Sequence, residues 1–500
     1  MRLLRLLRLC VATRPLIAAA ALVWAAAAPA AAQSEPEVSA AIARAIRFYS
    51  GEVAAHGGYV YRYAADLSRA EGEGIADADT VWVQPPGTPA VGMAMLAAAD
   101  ALAWLGRDDD SFAALTDAEA AGMALVSGQM RSGGWDYSIT FDPAKRATLG
   151  YVSNTRFRPQ PNASGRDKRN VTTLDDDTTT AALRFLLRLD DALDGENPRL
   201  TAAARRAAEA IVAAQRSNGG WPQNWSTEPT PDTAPSASAA TIPKDWPRTW
   251  GNDWPGRYFL NDDVAGQAIR TLLDAYDHFG DIRYREAAIR GGEFLLAARL
   301  PEPQPGWAQQ YDERMQPCWD RRFEPPAISG EETQDAVRIL IELAERTGEG
   351  RFLKGLKATV AYLERSQTAP GKLARFYELG TNRPLYFTKD YRLTYDDSDV
   401  PTHYAFTVPY RGDRLWAERM RVKNGKPRAA KPPSDAEVAA IVAALDARGA
   451  WVTTDGALDA HDVRPPGGII ESAVFAANVH ALSDWLRAQP VPPRAERGDR

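Results

Sequence analysis

Three Gly-Trp turns at equal spacing constrain this chain more than any other feature. Gln129 is followed by Gly133-Gly134-Trp135, and Gln215 by Gly219-Gly220-Trp221, with the same internal spacing. A third pair, Gly306-Trp307, precedes Gln309 and Gln310, and successive tryptophans lie 86 residues apart. A glycine pair stops a helix and lets the chain reverse. Chance recurrence of helix caps is the plainer account. The helical patterning between the turns favours a repeat architecture over separate domains.

Apolar residues recur at helical spacing over 38–54, 91–105, 117–130, 178–193, 200–215, 264–279, 282–298, 331–346, 351–365, 435–447 and 470–487. In 178–193, for example, Leu183, Leu186, Leu187 and Leu193 share a face. Alternating strand patterns are confined to short pieces at 58–63 and 385–394. The expectation is an all-α fold: a toroid of paired antiparallel helices, an incomplete α/α barrel of three-hairpin type, with long loops and minor β pieces. Two stretches break the helical pattern. The segment 226–250 is rich in Pro, Ser, Thr and Ala and reads as a long loop. The segment 152–172 holds Arg156, Arg158, Arg166, Lys168 and Arg169 against Asp167, and reads as a solvated loop or as a basic rim for a polyanion.

The first 32 residues carry Arg2, Arg5, Arg8 and Arg14, an apolar run, and Ala30-Ala31-Ala32. This is the pattern of a cleavable secretory signal. It leaves one toroid domain over 33–500, exported to the periplasm or beyond, with no later run long enough to span a membrane. The whole chain has a formal charge of −6. Without the leader, 55 basic side chains face 65 acidic ones. That balance argues against a general nucleic-acid binder, which needs a basic face to displace counterions. Of the two cysteines, Cys10 lies in the leader, so Cys318 has no partner for a disulfide. No histidine near Cys318 in sequence marks it as a nucleophile.

No phosphate loop, HExxH motif or GxSxG elbow is present, and the five histidines show no metal-ligand spacing. The chemistry must come from carboxylates and cations. Asp175-Asp176-Asp177 and Asn261-Asp262-Asp263 each open a helix. One acid suffices as a cap, and three adjacent carboxylates repel, so each cluster reads as a cap or as part of an oxygen-rich Ca2+ site. Arginines occur among aromatics in 319–326 and 374–384. Arginine recognises carboxylates in bidentate fashion, and aromatic rings stack on sugar faces, which suits an anionic sugar polymer.

These residues resemble a known family. The runs GGWPQ (219–223), FLNDD (259–263), WAQQYD (307–312), RRFEPPAISG (321–330) and RFYELGTNRP (375–384) look like the tenth polysaccharide-lyase family, the pectate lyases. The resemblance implies a toroid with a groove for polygalacturonate and Ca2+-dependent anti β-elimination. It implies Ca2+ and substrate contacts at Asp175 and at Asp262 or Asp263. Arg321 becomes the candidate base, beside Asp175 in the catalytic set. Arg375, Arg383, Lys389 and Arg322 are expected to bind uronate carboxylates, with Trp221 and Trp307 along the groove. A monomer is expected. The family commonly has Asn where this chain has Asp176, and Gly-Arg-Asp where it has Thr388-Lys389-Asp390; lysine cannot replace a bidentate arginine without loss. The loop 226–250 also looks like an insertion.

Elimination removes the proton alpha to the uronate carboxylate, so neutralising that carboxylate lowers the barrier. An arginine base requires a cationic setting that depresses its pKa, expected here from neighbouring Ca2+ and Arg322, and it implies an alkaline optimum. Two other readings stay open: a glycoside hydrolase using Asp175 and Asp262 as its paired carboxylates, and a uronate-binding protein without turnover. A terpene-cyclase-like toroid fits the Gly-Trp turns but not the export signal.

Overall fold

The structure is a computed structural model describing residues 34–162, 165–227, 229, 239–251, 256–429 and 431–490. The expected leader at 1–32 lies outside the described residues, as does the middle of the 226–250 loop. Thirteen α-helices occur among the described residues: α1 (Glu35–Phe48), α2 (Thr88–Trp104), α3 (Asp108–Gly128), α4 (Pro143–Thr148), α5 (Thr178–Ala192), α6 (Pro198–Ala214), α7 (Val264–Phe279), α8 (Ile282–Ala298), α9 (Gly330–Thr347), α10 (Leu356–Arg365), α11 (Gly412–Lys423), α12 (Asp435–Ala443) and α13 (Ser472–Arg487). None is long and apolar enough to cross a membrane.

The helices pair as hairpins because their caps are written locally. Asn197 and Asp281 accept from the backbone N–H groups of Arg199 and Arg283 and start α6 and α8, while left-handed Gly280 and Gly348 end α7 and α9. The inner helices pack side by side in the order α13, α2, α5, α7, α9, with α3, α6 and α8 behind them. This is the all-α toroid expected. The hairpins α2–α3, α5–α6, α7–α8 and α9–α10, joined by α12–α13, exceed a three-hairpin frame. The carboxy-terminal pair packs on α1 and α2, so the two ends of the chain meet. One continuous buried apolar cluster runs from Val38 to Leu486.

The Gly-Trp turns lock successive hairpins together. The indole N–H groups of Trp135, Trp221 and Trp307 donate to the carbonyls of Leu125, Ile211 and Leu295, at 2.8, 2.9 and 2.7 Å, in the helix just left. The Gln129 and Gln215 amides bridge their own glycine turns to the carbonyls of Ala203 in α6 and Ala287 in α8. Gly219 has φ 91°, and a Cβ there would stand 2.2 Å from the Arg290 carbonyl oxygen, so only glycine fits. A fourth turn, Gly449-Ala450-Trp451, repeats the arrangement against α1, and Trp451 donates to the Ile441 carbonyl at 2.9 Å. Its spacing departs from 86, which hid it.

Some elements differ from the sequence pattern. The 351–365 helix breaks at Gly355 (φ 78°), leaving a 3-10 turn and then α10. Helix α11 is highly charged, with only Gly412 and Leu415 buried, and so shows no apolar stripe; Arg421 on it pairs with Glu345 of α9 at 2.6 Å. Short strands lead into the inner helices: 80–82 before α2, 172–173 before α5, 258–259 before α7, 327–329 before α9 and 469–471 before α13. Their pairings gather β structure and connecting loops at the end of the toroid where the inner helices begin.

Candidate functional site

That end holds both acidic corners. Each is a single 3-10 turn, Asp175–Asp177 before α5 and Asn261–Asp263 before α7. In each, the second and third residues have positive φ: 50° and 61° for Asp176 and Asp177, 51° and 59° for Asp262 and Asp263. Aspartate tolerates this left-handed region better than most residues, but two in succession store strain.

The third carboxylate of each corner turns sideways. Asp177 accepts from Thr180 at 2.6 Å and Arg184 at 2.5 Å, and Asp263 accepts from Arg338 of α9 at 2.6 Å. The remaining carboxylates converge: one oxygen each of Asp175, Asp176 and Asp262 lies within 4.8 Å of the others. The expected ligand Asp263 is thereby corrected. Arg338 holds it, and Asp176, set aside in the sequence as a departure, takes its place.

Three residues the sequence analysis missed surround this cluster. The Tyr137 hydroxyl donates to Asp175 Oδ2 at 2.6 Å. The buried Gln84 amide donates to Asp176 at 3.0 Å and to Glu73 at 3.1 Å. Tyr137 lies two residues past a Gly-Gly-Trp turn, a findable signal; Glu73 and Gln84 have none. Asp175 Oδ1 is buried without a hydrogen-bond partner. Burial, then the charges of Asp175 and Asp176, push the Asp262 carboxyl well above the usual range, while Arg321 and Arg375 oppose this. Three convergent carboxylates, one of which carries a buried unpartnered oxygen, fit a Ca2+ ion.

The cationic side faces this cluster. Arg321 grips the fully buried Glu324 with two bonds, Nε to Oε2 at 2.7 Å and Nη2 to Oε1 at 2.5 Å. Tyr404, also missed in the sequence, joins the two arginines: it donates to Glu324 at 3.1 Å and accepts from Arg375 Nε at 3.0 Å. The Gln309 amide links Tyr404 to Asn261 and Glu332. Burial works against the charge on Arg321, but Glu324, with Tyr404 and Asp262, overcomes it and holds the guanidinium well above its ordinary pKa. Tyr404, Glu332 and Asp262 do the same for Arg375. Among protein groups the nearest charged neighbour of Arg321 is thus an anion, and Arg322, expected to help lower its pKa, points elsewhere, lying over the Tyr391 ring at 3.6 Å, which leaves any such lowering to a bound Ca2+. Burial and Glu324 raise the neighbouring Asp320 to about 7.

The other expected contacts separate. Trp221 and Trp307 are fully buried and present no face to a sugar; they are core residues. Arg383 lies over Tyr395 at 3.5 Å, at the rim of a cleft that also holds Arg322. Lys389 is exposed and pairs with Asp399 at 3.2 Å. Of the basic segment 152–172, Arg169 is held by two bonds to Asp167.

Residues 129–231 match the family model described as Pectic acid lyase. They carry Tyr137, Asp175 and Asp176. No curated protein matches the chain. Among solved structures, a family 10 polysaccharide lyase from Cellvibrio cellulosa is similar at 18% identity, with 60% of this chain and 91% of that one covered and a TM-score of 0.42. A variant of that lyase in complex with trigalacturonic acid matches with the same identity and TM-score. A D-mannose isomerase is similar at 14% identity over 91% of this chain and 98% of that one, with a TM-score of 0.44.

Proposed function

We propose that this protein is a polysaccharide lyase that cleaves polygalacturonate by Ca2+-dependent β-elimination. The observation that carries the reading is the convergence of Asp175, Asp176 and Asp262 opposite Arg321 and Arg375. The family match over Asp175 and Asp176 supports the substrate class. The leader pattern at 1–32 supports export to the periplasm or beyond.

Asp175, Asp176 and Asp262 would hold the ion, with Tyr137 and Gln84 orienting two of them. An ion held there would supply positive charge to a uronate carboxylate and so acidify the proton alpha to it. Arg321 and Arg375, both held cationic, bind and neutralise the same carboxylate as negative charge develops. Tyr404 and Glu324 fix the spacing of the two guanidinium groups. For Arg321 to take the proton, its pairing with Glu324 must first be lost; while paired, it acts as a cation.

The test is ultraviolet absorbance of the mature protein with polygalacturonate at alkaline pH, with Ca2+ and then with a chelator. A rise from unsaturated products that the chelator abolishes is the expected result. New reducing ends without absorbance would assign hydrolysis by paired carboxylates instead. Binding without either signal would assign a uronate-binding protein.

A further inference from the structure

Beside the acidic cluster lies a separate cleft of about 400 Å³. Arg248, Arg322, Arg392, Trp250, Tyr391 and Tyr395 are among the side chains lining it, and among the described residues no acidic side chain lines it. None of these residues falls in the stretch matched by the family model.

The cleft is built, not incidental. The end of the 226–250 loop is pinned across it by two indole bonds: Trp319 Nε1 donates to the Pro247 carbonyl at 2.7 Å, and Trp250 Nε1 to the Asp320 carbonyl at 2.8 Å. Arg248 is braced over Trp246 at 4.0 Å and paired with buried Glu378, which also accepts from Tyr395 at 2.8 Å. Arg322 lies over Tyr391, so its guanidinium is held in place while staying exposed. Arg392, with 78% of its side chain exposed, pairs with the similarly exposed Asp390 at 3.5 Å. Three guanidinium groups thus stand around aromatic rings on a protein whose net charge is negative. Arginine forks take carboxylates and aromatic faces take sugar rings. Arg321 and Arg322 are adjacent, one bonded to Glu324 beside the acidic cluster and the other in the cleft. One polymer can therefore reach both.

We infer that the cleft formed by Arg248, Arg322, Arg392 and Trp250 is an accessory binding site for a carboxylate-bearing sugar of the same polymer, beyond the units held at the acidic cluster. The inference rests on the polyuronate reading of that cluster. It makes affinity grow with chain length.

Calorimetric binding tests it on the mature protein with chelator present, so that no turnover is needed. Long oligogalacturonates are compared with trigalacturonate, for wild type, Arg392→Ala and the Arg322→Ala/Arg392→Ala pair. The expected result is tighter wild-type binding of the long oligomers, with an advantage reduced about tenfold by the variants. A neutral oligosaccharide should not compete. An advantage that survives in both variants, or its absence in wild type, overturns the site. Failure of the absorbance assay with a variant-sensitive length advantage would remove the elimination reading while leaving the cleft. Elimination with an unchanged advantage would do the reverse.

Discussion

Asp176 and Asp262 adopt the same left-handed backbone geometry, φ 50°, ψ 35° and φ 51°, ψ 32°, one hairpin apart, and their carboxylates meet. The left-handed turn swings the middle side chain away from capping the helix that follows. The third aspartate of each corner ties it to a neighbouring arginine. Asp176→Asn and Asp262→Asn are expected to weaken Ca2+ binding by about 10- to 100-fold, by analogy with metal-site variants. Asp263→Asn, which removes the charge partner of Arg338 at 2.6 Å and leaves it Asp335 at 3.5 Å, should lower the melting temperature more than it changes Ca2+ affinity. Calorimetry and thermal unfolding on the same preparations separate the two effects.

The pH dependence follows from Asp262, whose carboxyl is held above the usual range by burial and by Asp175 and Asp176. An ion must displace its proton, so Ca2+ affinity is weak below the raised pKa and strengthens as pH rises through it. Without metal the sign is opposite. Between the unfolded and folded pKa values the folded state holds the extra proton, so stability at low pH is lost as pH rises through the folded value. Titrations of Ca2+ affinity and metal-free melting temperature should therefore run in opposite directions with pH, and Asp262→Asn should flatten both.

Arg321→Ala leaves Glu324 a buried, unpaired charge, and a loss of about 3–5 kcal/mol is expected. The Arg321→Ala/Glu324→Gln pair should recover most of it, which chemical denaturation will measure. Glu324→Gln alone answers a different question. It removes the anion that holds Arg321 charged and so lowers that guanidinium's pKa. If Arg321 accepts the proton, the rising limb of the rate profile, on the acid side of the optimum, moves to lower pH; an unmoved rising limb with the alkaline limb shifted down assigns it the role of a cation only.

Trp221→Ala empties a fully buried indole site and strands the Ile211 carbonyl, at a cost of about 3–5 kcal/mol. The folded fraction should keep the KM of the parent for polygalacturonate. A large rise in KM at an unchanged melting temperature would instead return Trp221 to the groove.

Much of the frame is legible in one dimension. Apolar period, Asn197, Asp281 and Gly280 mark helices whose causes lie within a few residues of each other. Helix α11 escaped because its pairing with α9 is ionic, through Arg421 and Glu345, and leaves no apolar stripe. Trp221 and Trp307 were misread as sugar platforms, because a tryptophan after a glycine turn looks the same whether it faces a groove or a core.

By itself the sequence determined the repeating helical hairpins, the glycine turns that join them and the two acidic corners, since each depends on neighbours along the chain. Only the tertiary structure decided which carboxylates converge and which anion Arg321 faces. Asp263 is withdrawn from the cluster by Arg338, 75 residues away, and Asp176 is oriented by Gln84, 92 residues away. Tyr404, 80 residues from Glu324, completes the hydrogen-bonded cradle around Arg321 and Arg375. Charges act through space rather than along the backbone, so their balance is settled only when distant hairpins pack.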